Sequence, residues 1–160
     1  MSKEIAKNVP ALLVDADACP VSVRIKLEKA SRRYQARLVF FTDQNHEINP
    51  AYGEVEVVAQ GHDAVDYVLI AQVSPGDVVV TQDYGLAALA ISRRAFALHP
   101  GGMEYTSQNI DLLLMERHMA GKARKAGERF RNQKRKTNKE EYHFEKQLVK
   151  VIEKAMQTFP

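Results

Sequence analysis

The chain has 160 residues, 45% apolar and 27% charged, which is enough for one domain with one core and falls in the globular rather than the disordered range. A single cysteine, Cys19, excludes an intrachain disulfide and suits a reducing cytoplasm. No apolar run approaches the ~20 residues of a membrane span, and "MSKEIAKNVPALLVDAD" lacks the apolar core of a cleaved leader.

In chain order, "ALLVD" (11–15) reads as a buried strand that ends in acid, with Asp15 and Asp17 following one another closely. Pro20 suits a first helical turn, and a helix is expected over Val21–Tyr34. "RLVFFT" (37–42) and "EVEVVA" (54–59) are the second and third strands, with the polar loop "DQNH" after the second. "DAVDYVLIAQV" (63–73) reads as a helix closed by "SPG", and places Asp63 and Asp66 three residues apart on one face. "DVVVT" (77–81) is the fourth strand, followed by a helix over 84–94, a fifth strand "AFALH" (95–99) and a longer helix over Ser107–Lys125. Thr137 to Glu140 has capping-box spacing before a final amphipathic helix, whose stripe comprises Phe144, Leu148, Val151, Ile152, Ala155 and Phe159.

Strands that alternate with helices indicate an α/β domain: a five-stranded, mainly parallel sheet with helices on both faces. Residues 1–126 form this domain. Residues 127–160 form a basic connection and a C-terminal helical extension, which packs on its own domain or on a second copy as a homo-oligomer contact.

Net charge is +3, but it is unevenly placed. Residues 1–110 carry 10 Lys+Arg against 13 Asp+Glu, whereas residues 111–160 carry 13 against 7. From Arg117 to Lys139 there are ten basic residues and one acid, Glu128. That run, with Arg117, Lys122, Arg124, Lys134, Arg135 and Lys136, suits a polyanion. A solvated basic helix face is the plainer reading.

In open parallel sheets, ligands bind beyond the carboxyl ends of the strands, where strand order reverses. Six acids fall there: Asp15, Asp17, Asp43, Asp63, Asp66 and Asp83. Most have simpler roles. Asp17, Asp63 and Asp83 are placed to cap helices, and Asp66 to favour a helix dipole. Asp15 closes a buried strand and is not placed as a cap. Carboxylates gathered at one sheet edge repel one another and lose solvation. A hard cation, Mg²⁺ or Mn²⁺, relieves both costs with oxygen ligands.

The stretches "LLVDADACPV", "DQNH", "GHDAVDYVLI", "VVTQDYGLAALAI", "YTSQNIDLLLMERH" and "KARKAG" resemble the bacterial YaiI/YqxD family over roughly residues 11–150. That family is itself uncharacterised, and its domain looks like a PIN/NYN-like nuclease. The resemblance implies a PIN-like fold and a metal-dependent ribonuclease. Asp15 falls on the first acid of such enzymes, with Asp17 beside it. Thr81 and Asp83 fall on the "T-x-D" after the fourth strand, and Asp66 or Asp63 on the middle acid. The expected metal ligands are Asp15, Asp66 and Asp83. The pattern departs at the fourth acid, where "FALHPGG" offers His99 and the next acid is Asp111.

The implied chemistry is hydrolysis of phosphodiesters, with single-stranded RNA as the expected nucleic-acid partner. Asn45, Thr81, Gln82, Arg117 and His118 are candidate phosphate contacts. Tyr84, Tyr105 and Phe130 are candidate stacking surfaces, though each suits a core better. Two other readings stand beside this one. A non-catalytic RNA-binding module with a degenerate acidic site would explain the missing fourth acid. A haloacid-dehalogenase-like phosphatase would explain "VDADACPV", but it needs a basic residue near its later acidic motif, and none occurs between Arg37 and Arg93. Cys19 before a helix start is a candidate nucleophile without an assigned base, and His62 a candidate neighbour of the acids.

Overall fold

A computed structural model describes residues 9–59, 62–125 and 138–158. Lys134, Arg135, Lys136 and Phe130 lie outside the described residues, as do the side chains of His62, Asp63, Lys122 and Arg124.

The sheet has β1 (Leu12–Asp15), β2 (Leu38–Asp43), β3 (Glu54–Val58), β4 (Val78–Val80), β5 (Phe96–Leu98) and β6 (Glu104–Tyr105). Its order is β3-β2-β1-β4-β5-β6. The helices are α1 (Val21–Tyr34), α2 (His62–Ala71), α3 (Tyr84–Ser92), α4 (Ser107–Lys125) and α5 (Asn138–Thr158). The expected α/β architecture holds, with one strand more than the five read from sequence. The sixth is two residues long and pairs antiparallel with β5 through Ala97↔Tyr105 and Leu98↔Glu104. The turn before it is closed by His99 N–H donating to the Met103 carbonyl at 2.8 Å, and Gly102 takes φ +104° there.

The other pairings are parallel. β1 lies between β2 and β4, with Leu12↔Leu38 on one side and Leu12↔Val78 on the other. Both faces of β1, β2 and β4 are buried, which is why these strands read as apolar runs, whereas the edge strand β3 alternates Glu with Val. Successive side chains alternate between two cores. Leu12 and Val14 pack with Val23 and Leu27 of α1 and with Phe144, Leu148, Val151 and Ile152 of α5. Leu13, Val39 and Phe41 pack with Val65 and Leu69 of α2, Leu86 and Ala90 of α3, and Ile110 of α4.

The apolar stripe of α5 from Phe144 to Ala155 therefore lies in the domain's own core, and Phe159 lies outside the described residues. Its four fully buried side chains contribute about 1.5–3 kcal/mol each. Lys26–Glu145 at 3.5 Å and the Tyr34 hydroxyl donating to Glu153 at 3.0 Å add polar contacts between α1 and α5. No described helix is long and apolar enough to cross a membrane.

Successive connections carry the chain from β1 to β2 to β3, then back across β1 to β4 and β5. The order reverses between β1 and β4, and the carboxyl ends of those two strands flank the crevice where doubly wound sheets place ligands.

Candidate active site

Thr81 organises this crevice. It follows β4 and is fully buried. Its hydroxyl donates to Asp15 Oδ2 at 3.0 Å and accepts from the Asp83 N–H at 3.0 Å. One hydroxyl thus clamps an acid from β1 to the segment carrying an acid after β4. With both bonds made inside the protein, Thr81 is a positioning group, not the phosphate contact suggested by its sequence position. The Tyr105 hydroxyl donates to the Thr81 carbonyl at 3.1 Å, and Tyr105 is itself 2% exposed. Burial first, then the charges of Tyr84 and Asp83, raises the pKa of this phenol well above 10. Tyr105 is core and not a stacking platform; Tyr84 packs edge-on against it, with ring centroids 5.9 Å apart.

Asp15 is 1% exposed. Asp83 caps α3, with Oδ1 accepting from the Leu86 N–H at 3.0 Å. Both carboxylates line a cleft of about 480 Å³, together with Gln82, Tyr84, Glu116 and Arg117. The Gln82 amide donates to the Ala18 carbonyl and braces the turn after β1. Arg117 places Nη1 3.8 Å from Asp83 Oδ1. Glu116 on α4 is the acid that sequence reasoning missed. The fourth carboxylate was sought after the fifth strand, but His99 there is engaged with its own turn, its Nδ1 accepting from the Gly101 N–H at 2.8 Å. Asp111 is exposed near the start of α4 and does not line the cleft. His118 is exposed and does not line it either.

The expected metal trio is only partly assembled. Asp66 does not line the cleft; it lines a neighbouring pocket of about 230 Å³ with Tyr67, Ile70, Gly85, Leu86 and Leu89, and Asp83 stands between the two. Cys19 is 6% exposed, buried under the turn after β1, which does not suit a nucleophile.

Asp17 turns the other way. Its Oδ1 accepts from the Thr42 hydroxyl and its Oδ2 from the Asp43 N–H at 3.1 Å. The Asp43 Oδ1 accepts from the Asn45 N–H at 2.8 Å and lies 2.7 Å from His46 Nδ1. Asp17, Asp43 and His46 bring three ligand atoms within 4.8 Å of one another, the one such group of three among the described residues. The hydrogen bond to Asp43, then the charge of Asp17, raises the His46 pKa; the same hydrogen bond, with the Asn45 amide, lowers that of Asp43. Asn45 thus belongs to the β1–β2 side rather than to the cleft. The signal for this cluster was "DQNH", which as sequence reads equally well as an ordinary polar loop.

Fold and crevice together define a doubly wound α/β protein with paired carboxylates at its switch point. A profile described as "Uncharacterized BCR, YaiI/YqxD family" matches residues 13–154, and the chain belongs to that family. It is similar to a UPF0178 protein of Lachnoclostridium phytofermentans, 41% identical over 144 residues, covering 88% of this chain and 95% of the relative. A UPF0178 protein of Exiguobacterium sibiricum is 42% identical over 140 residues, covering 87% of this chain and 94% of its own. No solved structure matches the chain.

Proposed function

We propose that this protein is a metal-dependent phosphodiesterase acting on single-stranded RNA, with its reaction centre in the β1–β4 cleft. One observation carries the reading: Asp15 at the end of β1 and Asp83 after β4, tied through a single buried hydroxyl, both line one cleft at the switch point. PIN/NYN-like nucleases, which the sequence resembles, use acids in these positions.

The donor set fits a hard divalent cation. Mg²⁺ and Mn²⁺ are commonly held by one or two carboxylates with water and substrate phosphate completing the shell. Arg117, 3.8 Å from Asp83, already brings positive charge to that place. Asp15 and Asp83 would hold the ion. Bound there, it would neutralise phosphate charge and acidify a water.

The chain's own residues would do the rest. Thr81 fixes the Asp15 carboxylate, and the α3 cap fixes Asp83. Arg117, half-exposed at the cleft lip, is placed to leave Asp83 for a substrate phosphate, where a guanidinium makes paired hydrogen bonds. Glu116 adds a carboxylate able to accept a proton from water in the cleft. Tyr84 offers a ring to a base. The basic run from Arg117 to Lys139 supplies sequence-independent attraction for the phosphate backbone.

One observation favours the second reading, an RNA-binding module without catalysis: Asp66 lies outside the cleft. End-labelled single-stranded RNA incubated with Mn²⁺ separates the two. The proposal expects cleavage by the wild type, little by Asp15→Asn, and similar RNA affinity for both. Binding without cleavage by either protein would leave the module reading. Equal cleavage by both would remove Asp15 from the chemistry.

A further inference from the structure

We propose that Asp17, Asp43 and His46 form a binding site for one divalent transition-metal ion, at the carboxyl ends of β1 and β2 and separate from the β1–β4 cleft. This inference does not depend on the cleft being catalytic.

The donor set is mixed. Two carboxylate oxygens and the imidazole Nδ1 converge within 4.8 Å. Carboxylates alone suit Mg²⁺ or Ca²⁺, whereas an imidazole nitrogen shifts preference toward Zn²⁺ and its first-row neighbours. The two carboxylates are enclosed: the Asp17 side chain is 8% exposed and that of Asp43 14%, under a His46 side chain that is 55% exposed. Two enclosed negative charges call for positive charge. Among the described residues, no lysine or arginine lies within ion-pair distance of either, and His46 is the one cationic partner. A divalent ion with a neutral imidazole would balance the pair.

The ligands are also held in place. Asp17 is fixed by the Thr42 hydroxyl and the Asp43 N–H, and Asp43 by the Asn45 N–H. Neutral donors outside the shell leave the carboxylate charge for the ion and orient its lone pairs.

The spacing is close to that required. Zinc bonds of about 2.0–2.2 Å in a tetrahedron set neighbouring ligand atoms roughly 3.4 Å apart. His46 Nδ1 is 3.5 Å from Asp17 Oδ1. It is 2.7 Å from Asp43 Oδ1, so that pair must open by about 0.7 Å. The half-open loop carrying His46 can supply such a shift by a small ring rotation. A water would complete the tetrahedron on the exposed side. The bound ion would cross-link the turn after β1 to the loop after β2.

The test is calorimetric titration of metal-free, tag-free protein with Zn²⁺ and with Mn²⁺, using Mg²⁺ as control. In Asp83→Asn, which removes a cleft ligand for a divalent ion, one Zn²⁺ should still bind, and more tightly than Mg²⁺. His46→Gln and Asp43→Asn should each weaken Zn²⁺ at least about tenfold, ~1.4 kcal/mol. Asp83→Asn, which alters only the cleft, should leave Zn²⁺ affinity within about twofold. Histidine ¹⁵N spectra should show the ion on Nδ1 of His46. Far-UV circular dichroism of metal-free His46→Gln should match that of the wild type, so that lost binding reads as a lost ligand and not as a lost fold. Absence of Zn²⁺ binding by the wild type, equal binding by wild type and His46→Gln, or loss of binding in Asp83→Asn but not His46→Gln would each overturn the site.

Discussion

Replacing Asp83 separates what the residue does for the fold from what it does in the cleft. Its Oδ1 caps α3 by accepting the Leu86 N–H at 3.0 Å. Asparagine caps a helix about as well as aspartate, whereas alanine costs about 1 kcal/mol. In a protein of this size that is a fall of roughly 2–4 °C in Tm for Asp83→Ala and almost none for Asp83→Asn. The ion pair with Arg117 adds little to this difference. At 3.8 Å, with side chains 58% and 20% exposed, it is worth ~0–1 kcal/mol. The cleft behaves differently, because asparagine keeps the shape of the ligand but removes its charge. If the carboxylate holds the ion, Mn²⁺-dependent cleavage of labelled single-stranded RNA should fall at least about 100-fold, ~2.7 kcal/mol, in both variants. RNA affinity should hold or rise, since one repulsive charge has gone. Two variants that differ in Tm but are equally inactive would bear out both roles. Cleavage by highly purified Asp83→Asn within a few-fold of wild type would refute the catalytic assignment, and matched melting of the two variants would refute the cap.

Arg117→Gln should lower the Mn²⁺ concentration needed for half-maximal cleavage by up to about fivefold, because a competing cation leaves Asp83, while weakening RNA binding; an unchanged Mn²⁺ requirement would mean that Arg117 is not a counter-ion. Tyr105→Phe should cost about 1 kcal/mol at neutral pH through the lost bond to the Thr81 carbonyl. The raised phenol pKa stabilises the fold fully below the unfolded value of about 10, and that contribution fades as pH rises toward the raised value; the gap between wild type and Tyr105→Phe in chemical denaturation should therefore narrow above pH 10, and a widening gap would contradict it. At Gly85 a Cβ would sit 3.1 Å from Asp83 Oδ1, so Gly85→Ala should push that carboxylate by a few tenths of an ångström, lowering cleavage several-fold, while helix propensity holds or raises Tm by up to about 1 kcal/mol of stability.

Most of the fold is legible because burial on both faces leaves a plain mark. "LLV", "VVV" and "FAL" are apolar runs, and each lies in a strand. β6 is "EY", too short to show any period, and it exists because the turn at Gly102 brings it back against β5. The stripe on α5 is equally plain, but its partner is not, since the stripe alone does not distinguish the β1 core from a second copy. The acids divide in the same way. Asp15 stands out because charge at the end of a buried strand is costly, whereas Asp83 reads in sequence as a helix cap and is one. Asp17 follows Asp15 by only two residues, yet a 3₁₀ turn over Ala16–Ala18 intervenes. Such a turn rotates the chain about 120° per residue, so the two carboxylates diverge and Asp17 reaches β2 instead. Glu116 is invisible in sequence for another reason: it enters the cleft from a helix that docks on α3, and only tertiary packing brings it there.

The position of α4 links the two ends of the charge asymmetry. Asp15 ends β1 and Asp83 follows β4 by three residues, and the parallel pairing Val14↔Val80 with the bonds of the Thr81 hydroxyl holds the two segments together. Two carboxylates fixed in this way favour the arrival of positive charge, and Arg117 on the neighbouring helix brings it within 3.8 Å of Asp83. In sequence, the densest run of lysine and arginine in the chain begins on that helix at Arg117. A polyanion drawn to the run would thus meet Arg117 as it reaches the cleft. A phosphate there competes with Asp83 for the guanidinium, and every step of that exchange leaves Asp83 more negative and a better ligand. Under the proposed function, substrate and cation would strengthen one another's binding, as linkage requires when each relieves a cost imposed on the other. The affinity of the wild type for Mn²⁺ should therefore rise when a non-cleavable single-stranded oligonucleotide is bound, and Arg117→Gln should lose most of that gain. An oligonucleotide that leaves Mn²⁺ affinity unchanged in the wild type would break the link between the basic segment and the cleft.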